Sequence, residues 1–227
     1  MKLSFILFFV LFTFNSCQSN FLIPCNSSEY SSEMVTYFME VALNYPSTNS
    51  SHIVKWQTDI HIAVHGSPSV NDIAILRQLT DELNLLIKPI QIYLDETDPN
   101  LHLFFTSPQT FQITETYFKD ADNPILNGIT FVYHYPNYQI YKANILISNR
   151  IKDPMKRVHT IREEITQSLG LLTDSWQYEK SIFYEGQSYS TSFSEMDKQL
   201  IQLLYNTNIP IGGQAKDVLL LLCGDTN

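Results

Sequence analysis

The amino-acid sequence predicts one α+β domain built on a mixed sheet of about four to five strands. Three observations carry this. The apolar spacing runs helix, strand, long helix, four strands, central helix, then two closing helices, so a sheet is assembled before the last helices pack on it. A chain of 227 residues, 44% hydrophobic and 13% aromatic, is ample for one core and thin for two. No internal repeat, low-complexity tract or interdomain linker divides it.

Residues 28–45 carry Met34, Val35, Phe38, Val41 and Ala42 at helical spacing. The polar loop PSTNSS follows. Residues 52–66 read as one strand, alternating at Ile60, Ile62 and Val64 and ended by Gly66. Residues 70–87 form the long amphipathic helix, with Ile73, Leu76, Leu79, Leu83 and Leu86 on one face and Pro89 limiting its extension. Two strands, 90–94 and 101–106, flank the turn-rich DETDPN. Residues 107–128 read as loop. Strands 128–135 and 138–148 lie on either side of Pro136-Asn137. The central helix is next, then an irregular stretch, then helices at 193–205 and 214–223. Ser194 with Asp197 has the spacing of an N-terminal capping box.

The N-terminus, MKLSFILFFVLFTFNSC, has one Lys and then roughly a dozen mostly apolar residues, Leu3 to Phe14. That is short of the ~20 residues of a transmembrane helix and suits a secretory signal. The run ends at Asn15-Ser16-Cys17, which resembles the cleavage site of bacterial lipoproteins, where a small residue precedes a lipidated Cys. Phe14 departs from the usual Leu. On this reading residues 1–16 are a signal peptide, 17–28 a lipidated Cys17 and tether, and 29–227 the domain, held at a membrane surface of the bacterial cell envelope. The alternative is a plain signal cut near Ser16 and a periplasmic or extracellular product. With Cys17 lipidated, Cys25 and Cys223 remain as an even pair in an oxidising compartment. They either join the two ends of the mature chain, stabilising it by roughly 2–4 kcal/mol, or stay as two buried thiols. A formal net charge of −9 with no Lys/Arg run argues against nucleic acid and against electrostatic docking on anionic lipid.

The stretch that concentrates chemistry is HTIREEITQSLGLLTDS, residues 159–175. At about 100° per residue, Val158, Ile161, Ile165, Leu169 and Leu172 fall within an arc of about 80°, a buried face. Glu163, Glu164 and Gln167 lie on the far side, with His159 beside Glu163 at i,i+4. Such a face either lines a cleft or is simply solvated. Adjacent Glu163 and Glu164 point ~100° apart, which disfavours a glycosidase-type pair. No nucleophile elbow and no phosphate-binding Gly loop is present, and the chain has only 7 Gly.

The same stretch resembles the motif of metzincin zinc endopeptidases, H-E-x-x-H-x-x-G-x-x-H followed by a Met-turn. In that frame Glu164 takes the general-base position and Gly170 the bend, while Glu163, Gln167 and Thr173 stand where zinc-binding His would be, with Asp174 adjacent. SIFYEG occupies the Met-turn place, with Phe183 for Met, and FSEMDKQLIQLLY resembles the closing helix of matrix-metalloprotease-like domains. This core likeness spans 52–205, with 206–227 a C-terminal helical extension. The set EEITQSLGLLTDS, SIFYEG, D..LI.LLY and IPIGGQAKDVLLLL is similar to a secreted bacterial family known only as domain of unknown function 2927, zincin-like with E-E-x-x-Q for H-E-x-x-H. The resemblance implies a zincin-like fold and leaves activity open.

Without imidazole ligands zinc is not expected, and without zinc Glu164 has no polarised water to deprotonate. No cofactor is therefore expected. The sequence favours a non-catalytic, metallopeptidase-like binding module whose partner is a peptide, a protein or a cell-wall ligand. The alternative is a hydrolase with a calcium-type oxygen site from Glu163, Gln167 and Asp174, His159 adding a nitrogen only if it reaches the cleft, and Glu164 as base. Among Trp56, Tyr133, Tyr135, Tyr138 and Tyr141, Tyr133 and Tyr135 share strand parity and either grip a ligand or pack as ordinary strand aromatics.

Overall fold

A computed structural model describes residues 21–48, 50–115, 118–186 and 190–224; the expected signal peptide and Cys17 lie outside the described residues. Helix α1 (Ser32–Leu43) opens the domain and β1 (Lys55–Trp56) follows. Then come β2 (Ile60–Gly66), α2 (Val70–Leu86), β3 (Ile92–Tyr93), β4 (Leu101–Thr106) and α3 (Pro108–Thr114). The chain continues through β5 (Gly128–His134), β6 (Gln139–Ser148), α4 (Pro154–Gln167), α5 (Glu195–Leu204) and α6 (Ala215–Cys223).

The sheet runs β1–β6–β4–β2–β3, with β5 beside β6. Every pairing is parallel except the β5–β6 hairpin. The antiparallel β5 is therefore the edge strand on the α4 side. One face of the sheet packs the large core: Ile62, Leu103, Phe105, Ile145 and Ile147 meet Leu76 and Leu83 of α2 and Ile161 and Ile165 of α4, all 2% exposed or less. The other face carries a smaller core in which Phe111 and Phe118 cover Leu146, Phe104 and Phe131. The end of α6 is tied to the start of the domain by a Cys25–Cys223 disulfide, so the pair is bridged rather than free.

Three readings of the sequence are corrected. Residues 52–66 are not one strand. Lys55 turns its ammonium to the carbonyls of Leu204, Asn206 and Ile209, and Trp56 donates to Ser168 O, so this segment follows the helix ends and breaks before β2. The strand expected over 90–94 shrinks to two residues, because Asn84 of α2 takes up both the N–H and the C=O of Ile92. The expected loop 107–128 begins with α3, started by Ser107 accepting from the Thr110 N–H and by Pro108 at the first helical position. The capping box at Ser194 and Asp197 is present. Among the described residues no helix is long and apolar enough to cross a membrane.

Candidate functional site

Helix α4 starts where Asp153 accepts from the Met155 and Lys156 N–H groups and Pro154 fills the first position. Its rotation about its axis is set by two ion pairs to α2 as well as by its apolar stripe. Arg157 grips Asp72 at 2.7 and 2.9 Å, and the buried Arg162 pairs with Glu82 and lies 4.3 Å from the Phe193 ring centroid. With that setting the row Thr160–Glu164 faces β5, and the row His159–Glu163–Gln167 lines a cleft of about 820 Å³. The cleft lies between residues 123–130, α4 and residues 172–186, with Ile125, Leu172, Trp176 and Tyr184 among its walls. The helix ends at Ser168, and Gly170 turns the chain at φ +118°, where a Cβ would stand 2.0 Å from Val54 O.

Glu164 is only 6% exposed. The Thr130 hydroxyl on β5 lies 2.7 Å from its Oε2 and 2.9 Å from its main-chain oxygen. Gly128 lets the two elements close: a Cβ there would be 2.4 Å from Glu164 Oε1. Burial, opposed by the Thr130 hydrogen bond and helped by the charge of Asp174, pushes the Glu164 carboxyl up to about 8, so it is largely neutral at pH 7. Burial, followed by the charges of Glu164, Asp174 and Glu185, holds Glu163 well above the usual carboxyl range. Asp174 is pushed up to about 6 by burial and then by Glu185, and it accepts from Gln167 Nε2 at 2.7 Å. His159 Nδ1 is 3.1 Å from Ser190 O, so that nitrogen carries the proton, and Nε2 is left 3.5 Å from Glu163 Oε2. Burial, only partly offset by the Ser190 bond, lowers this imidazole's pKa.

This donor set does not match a zinc centre. Gln167 presents its N–H end, not its oxygen, to Asp174. Among the described residues no three His, Cys, Asp or Glu converge to hold a metal.

The model of a family described as "Protein of unknown function (DUF2927)" matches residues 31–222. The chain belongs to that family. Two solved structures of myroilysin align with it. One has a TM-score of 0.43 at 13% identity over 74% of this chain and 92% of that one. The other has a TM-score of 0.42 at 14% identity, covering 68% and 83%. No curated protein matches the chain significantly. In this DUF2927 domain the short β1 and β2, the long helix α2 and the strands β3 to β6 precede the central helix α4.

The site residues anticipated from sequence divide as follows. His159, Glu163, Glu164, Gln167 and Asp174 all line the cleft. Thr173 does not: its N–H donates to Val41 O of α1. Leu172 lies beyond the helix and is 41% exposed at the cleft wall rather than on the buried face. Phe183 is fully buried, and its carbonyl accepts from the Ser175 N–H, which closes the loop beneath the cleft. Gly128, Thr130 and Glu185 were not anticipated. The β5–α4 packing brings in Gly128 and Thr130 from a distant segment, while Glu185 is placed by its N–H bond to Ser175 O within the loop that follows α4.

Proposed function

We propose that this DUF2927 domain is an exported, lipid-anchored module of the bacterial cell envelope that binds an extended peptide in the cleft between β5 and α4, and that it is not a zinc peptidase. One observation carries the reading: the residue at the base position, Glu164, is buried, held by Thr130 and pushed toward its neutral form beneath an open strand edge. A neutral, hydrogen-bonded carboxyl is a poor general base at pH 7.

The strand edge supplies the binding surface. Asn127 O accepts from the Ser148 N–H, and antiparallel pairs alternate, so Ile129 and Phe131 bond inward to β6. Gly128, Thr130 and Val132 then turn their N–H and C=O groups outward, ready to receive another strand. The Cys25–Cys223 bridge supports a home in an oxidising compartment.

The test has two arms. Purified domain is incubated with fluorogenic peptide and muropeptide libraries, with zinc, calcium or manganese added; no turnover is expected. A peptide selected from a displayed random library is then synthesised. It should slow amide exchange at Gly128, Thr130 and Val132, leave Ile129 and Phe131 nearly unchanged, and still bind Glu164→Gln. Turnover that vanishes in Glu164→Gln, or protection away from β5, would overturn the reading.

A further inference from the structure

The face of the sheet turned away from α4 carries a second group of donors, unrelated to the cleft. His65 on β2 and His102 on β4 bring Nε2 and Nδ1 to 3.1 Å. The Phe104 ring stacks on His65 with centroids 4.7 Å apart and backs the pair. Asn144 on β6 is the register partner of His102, on the same face, and is 2% exposed. Its Nδ2 donates to Glu115 Oε2 at 3.1 Å. A carboxylate only accepts, so the amide must keep its nitrogen end toward Glu115 and its oxygen at the other end. That oxygen, Asn144 Oδ1, is one of two buried side-chain polar atoms among the described residues with no hydrogen-bond partner; the other is Arg162 Nε. An orphaned buried acceptor on the sheet face that carries both imidazoles, one of them its register partner, calls for an explanation.

We propose that His65, His102 and Asn144 form a nitrogen–nitrogen–oxygen site for a divalent transition-metal ion of the zinc type. Imidazole is the donor such ions favour over calcium or magnesium. Two nitrogens each about 2.0–2.1 Å from one ion stand roughly 2.9–3.4 Å apart between octahedral and tetrahedral angles, a range that includes the separation found here. The three donors sit on three adjacent strands, a stiff mount. Glu115, itself buried, orients the amide and brings negative charge one layer out. A nearby cation, Lys142, is turned over the Tyr133 ring, 5.5 Å from its centroid. Metal-free, one imidazole donates its N–H to the other. On binding, that proton moves to the ring's second nitrogen and both lone pairs face the ion, with water completing the shell.

The experiment uses the chelator-treated chain and zinc sulfate, with affinity read by competition against a chromophoric chelator and the wild-type imidazole nitrogens followed by ¹⁵N NMR. One zinc per chain is expected, with the His65 and His102 nitrogens shifting. His65→Ala, His102→Ala and Asn144→Ala should each weaken binding by at least about tenfold, and Glu163→Gln should not. No saturable binding, unshifted imidazoles in wild type, or unchanged affinity in any of the three variants overturns the site. So does loss with Glu163→Gln, which would place the ion in the cleft. The wild-type NMR arm decides the matter if a variant fails to fold.

Discussion

Glu164 has two neighbours that no local rule reveals. A helical wheel sets it about 100° from Glu163 and groups both on a polar face. What separates them is β5, more than thirty residues upstream, where Gly128 lacks the Cβ that would strike the carboxyl and Thr130 supplies the hydroxyl that holds it. The titration follows from that burial. An unfolded Glu titrates near ~4.3, whereas Glu164 in the fold titrates at about 8. Between those values the folded chain binds the proton more tightly, so stability is greatest on the acid side and falls as pH rises. Asp174, pushed up to about 6, adds to the fall over the lower part of the window. Denaturant midpoints should therefore drop from pH 5 to pH 8, and Glu164→Gln should flatten that slope. An identical slope in the variant would count against a buried, proton-holding Glu164.

Long apolar-periodic segments such as α2 and α4 are legible in the sequence because their core contacts repeat every turn. Helix α3 is too short to show a period; the signal that does mark it is Ser107-Pro108, a cap followed by a first-turn proline. The break between β1 and β2 is invisible locally, since it depends on Lys55 reaching carbonyls some 150 residues away. The setting of α4 likewise rests on a distant partner. Asp72 closes the capping box with Ser69 and also accepts Arg157, and it has no exposed surface. Burial would raise its pKa, but the bonds from Arg157 and Ser69 prevail and hold it below the usual value. Asp72→Asn keeps an acceptor for Ser69 and removes the charge facing Arg157. It should cost about 2–4 kcal/mol by denaturant melting at pH 7, somewhat less than a fully buried pair because Arg157 retains some exposure. In an Arg157→Met background the same change should cost clearly less. Equal costs in both backgrounds would mean the pair does not set the helix.

For the whole molecule, the anchor proposed at Cys17 would be tethered a short way along the chain from the bridge. Cys17 is eight residues before Cys25, so even a fully extended tether keeps the disulfide within about 30 Å of a lipid on Cys17. In a bacterial host the full chain should fractionate with membranes and incorporate labelled fatty acid. Cys17→Ala should lose both properties, and a variant still labelled and still sedimenting with membranes would rule out the anchor.

The bridge between Cys25 and Cys223 changes the covalent shape of the domain from a line to a ring. One peptide-bond cut anywhere inside that ring opens it without releasing a fragment, because both pieces stay joined through sulfur. Wherever a protease reaches the domain, a first nick is then survivable: the pieces stay together and can remain docked on a shared core, and only a second cut or a reductant sets one free.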